Sequence, residues 1–137
     1  DKVKEMKKLF IAETEKYRIY QVRWPVLNRV YGEGLLLQPK TKPLANIIAL
    51  SDADQHPEQL VGLMPGIAPA SQFARHLAEN GFQVLVPVII SRTLLFPGKT
   101  QQQTYREWIY RQAFHMGKHV IGYEVQKVLS AVDWFKQ

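Results

Sequence analysis

The sequence predicts an α/β fold: a mixed sheet with an antiparallel hairpin at its front, then parallel strands with helices on both faces. Two β-rich stretches, "YRIYQVRWPVL" and "VYGEGLLLQPK", stand one turn apart, which is the pattern of a hairpin. Two short continuous apolar runs, "NIIAL" and "VLVPVII", follow with a helical segment between them, the pattern of parallel strands buried on both sides. An amphipathic helix then closes the chain.

Taken in order, Asp1 to about Thr14 reads as a charged helix with a modest apolar stripe at Val3, Met6, Leu9 and Phe10. The first strand of the hairpin alternates Tyr17, Ile19, Gln21 and Arg23 with Arg18, Tyr20, Val22 and Trp24, and Pro25 marks an edge or a strand end. Asn28 and Arg29 supply the turn. In the second strand Gly32 and Gly34 suggest a bulge or a close backbone approach. A polar loop from Asp52 to Gln59 follows "LANIIALSD". "PASQFARHLAENGF" is helical, with Ser71 as N-cap, Phe73, Ala74, Leu77 and Ala78 as its buried side and Asn80-Gly81 as its stop. The segment from Ser91 to about Gly117 is a long connection that contains a helical "TYREWIYRQAF". In the closing helix Ile121, Val125, Val128, Val132 and Phe135 recur at four-three-four-three spacing and need a surface to pack on.

Composition narrows the class. The 137 residues suit one domain, and an apolar share of 46% with a charged share of 22% is that of an ordinary globular protein rather than a disordered chain. The longest apolar stretch, Val84 to Ile90, is far short of the roughly 20 residues a membrane helix requires, so a soluble protein is expected. Net charge is +6, but the basic residues are spread from Lys2 to Lys136 without a block, which favours a solvated surface over a polyanion-binding arm. No cysteine is present, so thiolate metal sites and disulfides are excluded and the redox compartment stays open. The chain begins on Asp1 rather than Met, which reads as a removed leader, with periplasmic or secreted location as one option, or as a piece of a longer protein.

Several motifs look chemical. "PGKT" at Pro97 to Thr100 ends like a phosphate-binding loop, but Thr93 stands where its first glycine is required. "GEG" at Gly32 to Gly34 lacks the third glycine of a dinucleotide site, and no cofactor is expected. His115 and His119 are four apart and form a weak metal-ligand pair, without a third ligand, with Met116 where a zinc protease has its glutamate, and with Gly117 between them. "YREWIYRQ" interleaves aromatic and basic residues as a base-stacking surface would, although on a helix they point in several directions. Ser51, Ser71, Ser91 and Ser130 lie outside any G-x-S-x-G turn, and no catalytic set can be assembled from them with His56 or His76.

The order of elements, and the words "IIALSDADQHPEQLVGL", "HLAENGFQVLVPVI" and "YREWIYRQAFHMGKHVIGYEVQKVLSAVDWF", resemble the N-terminal half of bacterial α/β-hydrolases of the acetyl xylan esterase-like and dienelactone hydrolase-like kind. The resemblance runs from about Tyr17 to the end and implies one domain over residues 1–137. An N-terminal helix (1–16) would precede a partial α/β-hydrolase core (17–137) that belongs to a larger domain. It further implies a serine-type ester hydrolase acting on a small or carbohydrate-linked ester. The nucleophile, acid and histidine would lie beyond Gln137, so this chain alone would not be catalytically competent. In that family the loop after the third strand gives a backbone N–H to the oxyanion hole, which carries over weakly to Asp54 or Gln55. The family's His-Gly-Gly is absent from this loop, and two aspartates beside a developing negative charge would oppose the reaction. A non-catalytic hydrolase-like binding or assembly module is therefore the alternative, and a basic polyanion-binding module a third. The expected partners are an ester substrate and either the remaining half of the domain or another copy, covering an otherwise open sheet edge.

Overall fold

The computed structural model describes residues 5–27, 29–52, 54–89, 111 and 120–137. A five-stranded sheet dominates them, built from β1 (Lys7–Glu13), β2 (Tyr17–Leu27), β3 (Val30–Pro39), β4 (Asn46–Ile48) and β5 (Gln83–Pro87) in the spatial order β1-β2-β3-β5-β4. The first three strands and β5 pair antiparallel, whereas β4 pairs with β5 parallel. The helices are α1 (Pro57–Leu60), α2 (Phe73–Glu79) and α3 (Val120–Phe135). The mixed sheet of an α/β protein is therefore present as expected.

The N-terminal helix is not. Lys7–Glu13 is an edge strand against β2, with a bulge where the pairing passes from Phe10–Tyr20 to Ala12–Ile19. "LFIA" packs better as a strand because that geometry sets the Phe10 ring edge-on to Tyr20 at 6.0 Å and lays the Lys8 ammonium over the Tyr20 and Trp134 rings. Ladder bonds to β2 then satisfy a backbone that an exposed, weakly amphipathic helix would have to support alone.

The hairpin forms as read. Arg29 takes a positive φ of 63° in its turn, and β2 runs on through Pro25 to Leu27 because a bulge lies between those two residues. Period-two alternation sorts the sheet into two cores. Tyr17, Ile19, Leu35, Leu37, Val84 and Val86 face α1 and α2, meeting Leu60, Ala74 and Ala78. Val22, Trp24, Leu36 and Leu85 face the opposite way, toward Met6 and Ala131 of α3. Both glycines of "GEG" mark close approaches: a Cβ on Gly32 would meet the Trp24 ring, and one on Gly34 would meet the Val86 carbonyl oxygen.

The helices differ from expectation in detail. Ser71 falls in a short 3-10 turn, Gln72 precedes α2, and Phe73 is exposed while Ala74 and Ala78 are buried. Gly81, with φ of 90°, ends this helix as its sequence indicates. Among the described side chains of α3 the buried one is Ala131, and Ile121 and Val125 of the supposed buried stripe are exposed. Part of the polar loop after β4 coils into α1.

Candidate functional site

In a parallel arrangement, ligands are met at the carboxyl ends of the strands. Here that place is the loop from Ser51 to His56, which leaves β4 and enters α1. Its own hydrogen bonds shape it. The Gln55 N–H donates to the Asp52 carbonyl at 3.0 Å, and the Asp52 N–H donates to Gln55 Oε1 at 3.2 Å, closing a tight turn. Ser51, only 8% exposed, directs its hydroxyl at the Gln55 carbonyl. The His56 N–H donates to Gln59 Oε1 at 2.8 Å, and Gln59 Nε2 donates to the Pro65 carbonyl, so the exit from the loop is pinned as well.

This allocation separates the two candidate oxyanion donors. The Gln55 amide is spent inside the turn, while the Asp54 amide has no acceptor among the described residues. Asp52 and Asp54 are both exposed.

Beside the loop an apolar groove of about 370 Å³ opens, lined by Leu50, Ser51, Ile89 and one side of α3. Leu50, Ile121, Val125 and Leu129 stand in it 50% to 55% exposed, the three helical residues at four-residue intervals along one stripe. The groove borders the free edge of β4. The Ala49 N–H donates to the Leu85 carbonyl, and the Ala45 carbonyl accepts from the Gln83 N–H, so the odd-numbered residues of β4 bond to β5. Strand alternation therefore turns the N–H and C=O groups of Asn46 and Ile48, and of Leu50 just past the strand, outward, to an edge without a neighbouring strand among the described residues.

The remaining candidates are dispersed or spent. His76 Nε2 lies 2.8 Å from the Pro69 carbonyl oxygen and its Nδ1 3.6 Å from Glu79. Ser130 accepts the Trp24 indole N–H at 3.1 Å and donates to the Lys127 carbonyl at 2.9 Å, which makes it a fastening for α3 and not a nucleophile. Burial pushes the Lys127 ammonium below its ordinary value, with Glu124 and Glu33 opposing that shift. His115, His119, Ser91, "PGKT" and the aromatic-basic segment through Tyr110 lie outside the described residues. Among the described residues no three histidine, aspartate or glutamate side chains gather as a metal would require, and no helix is long and apolar enough to cross a membrane. The sequence did not disclose the groove, because its wall is half of an apolar stripe that reads in full as a core-facing surface.

No protein-family model matches the chain, and no curated protein matches it. Among solved structures it is similar to a Bacteroides fragilis protein provisionally described as an acetyl xylan esterase, with a TM-score of 0.67 and 19% identity. The match covers 93% of this chain but 37% of that one, so the chain spans little more than a third of its structural relative. At that identity the likeness concerns the fold alone.

Proposed function

We propose that this chain is the N-terminal part of an α/β-hydrolase domain, that of a serine-type ester hydrolase for a small or carbohydrate-linked ester, with its nucleophile, acid and histidine beyond Gln137. The observation that carries this reading is the place of β4 at the edge of the sheet among the described residues. The unit β4–α2–β5 is a parallel crossover with its helix on one face, and α3 packs on the other face. Crossovers of this kind are right-handed, so a helix on the opposite face carries the chain in the opposite direction along the sheet. A parallel strand following α3 would thus pass beyond β4 and pair with the outward groups of Asn46, Ile48 and Leu50, its side chains filling the apolar groove. In the hydrolase fold the strand in that position ends in the nucleophile turn, beside the loop after β4.

The chemistry left to this chain in that scheme is one backbone donor. The Asp54 N–H would meet the developing oxyanion, held in place by the Asp52–Gln55 turn and by Gln59. The carboxylates of Asp52 and Asp54 favour a second reading, a hydrolase-like module that binds without catalysing, since negative charge beside the oxyanion raises the barrier. Labelling of the longer gene product with a serine-directed fluorophosphonate separates the two. Covalent label on a serine C-terminal to Gln137 is the outcome expected of the enzyme; an unlabelled protein leaves the binding module.

A further inference from the structure

At the opposite end of the sheet from the Ser51–His56 loop, the turn between β1 and β2 and the outer side of α2 enclose a second cavity, of about 300 Å³, lined by Thr14, Glu15, Lys16, Tyr17, Arg75 and Glu79. We propose that it binds a small uncharged polyol of monosaccharide size, through the Tyr17 hydroxyl and the Arg75 guanidinium. The inference does not depend on the ester-hydrolase reading.

Tyr17 points to a ligand. It is only 3% exposed, yet its hydroxyl has no hydrogen-bond partner among the described residues. Buried tyrosines ordinarily satisfy that group. No side-chain polar atom of the described structure is both fully buried and unpartnered, so the hydroxyl retains access to the cavity it lines. Its position is fixed, because Thr14 Oγ1 accepts the N–H groups of Lys16 and Tyr17, both at 3.2 Å, and the Thr14 N–H donates to the Tyr17 carbonyl at 2.8 Å. Burial, with Glu79 nearby, holds the phenol above its usual range, which keeps it a donor at neutral pH.

Arg75 is fixed as well. Its Nε donates to Glu79 at 2.8 Å and one terminal nitrogen to Gln72 Oε1 at 3.2 Å. Gln72 is itself buried, and its amide nitrogen donates to the Ile67 carbonyl at 3.1 Å. These bonds use two of the five guanidinium N–H groups. The charges decide the ligand class: Lys16 and Arg75 are balanced by Glu15 and Glu79, so the lining has no net attraction for an anion or a cation. What it presents is a mixture of donors and acceptors around two fixed groups, which suits vicinal hydroxyls. The volume is at the small end of ligand sites.

The test is a titration of the longer gene product with D-xylose, followed by the NMR signals of the Tyr17 ring and the Arg75 side-chain N–H, with sodium acetate as the charged control. The expected result is a saturable shift with a Kd of about 1–10 mM. Tyr17→Phe should weaken it about tenfold without lowering thermal stability, because the hydroxyl has no partner to lose. If Tyr17→Phe does not fold, Arg75→Gln, at a half-exposed position, should weaken binding about tenfold. Absence of a saturable shift, unchanged affinity in the folded variants, or tighter binding of acetate than of xylose would each overturn the proposal.

Discussion

Replacing Gly34 by alanine tests how closely β3 and β5 approach at the centre of the sheet. The added methyl would lie 2.3 Å from the Val86 carbonyl oxygen and 2.9 Å from the Pro87 Cα. Both obstacles are backbone, so no rotamer change relieves them. An ordinary contact needs about 3.5 Å, so the strands must part by roughly 1 Å where Gly34 faces Pro87. Opening that pair disturbs Leu36, Leu85 and Val86, all buried. It also stretches the adjoining bond from the Val88 N–H to the Glu33 carbonyl, now 2.7 Å. Overpacking costs about 1–3 kcal/mol and a weakened backbone bond about 1 kcal/mol, so a loss of about 3 kcal/mol is expected. In urea, with a slope of about 1.5 kcal/mol per molar, the midpoint should fall by about 2 M. A fall of less than about 0.3 M would refute the close approach of the two strands.

Gly122→Ala should do the reverse. No atom lies within 4 Å of the added methyl, and a helical glycine gives up about 0.5–1 kcal/mol to alanine, read as a raised urea midpoint. Trp24→Phe removes the indole donor to Ser130 and Lys127 and should cost about 2 kcal/mol by the same assay, loosening α3 from the sheet. Hydrogen bonds from Lys40 first and Arg18 second hold the Glu13 carboxyl below its ordinary value of 4.5. A lowered folded value means a contribution fully present above that ordinary value and lost as pH falls through the folded one. The stability difference between wild type and Glu13→Gln should therefore be constant near neutral pH and vanish in acid, as thermal midpoints across a pH series would show.

Much of the fold is legible in the residues. The hairpin is written in the alternation of β2 and the glycines of β3, and α2 in its alanines and its Asn80-Gly81 stop. Strand β1 was not, because Lys7 and Lys8 beside "LFIA" fit a short amphipathic helix equally well. The contact with Tyr20 that decides between them comes from another strand. For α3 the apolar period gives the helix but not which side is buried. Its stripe is shared between the sheet, reached through Ala131, and the groove, faced by Ile121, Val125 and Leu129. At the site, the loop after β4 could be located, but which amide remains available depends on the turn that Asp52 and Gln55 close. Tyr17 and Arg75 are brought together only by the packing of α2 on the sheet.

The claim that a strand from beyond Gln137 completes this sheet is tested most directly by amide hydrogen exchange of β4, resolved residue by residue, in the longer gene product. The Ala49 N–H, bonded to β5, serves as the internal reference for a protected edge. If the account holds, the outward amides of Ile48 and Leu50 exchange as slowly as that of Ala49, because a parallel neighbour accepts them. Fast exchange at Ile48 and Leu50 beside a protected Ala49 would mean that β4 remains the edge of the sheet, and the hydrolase reading would fall with it.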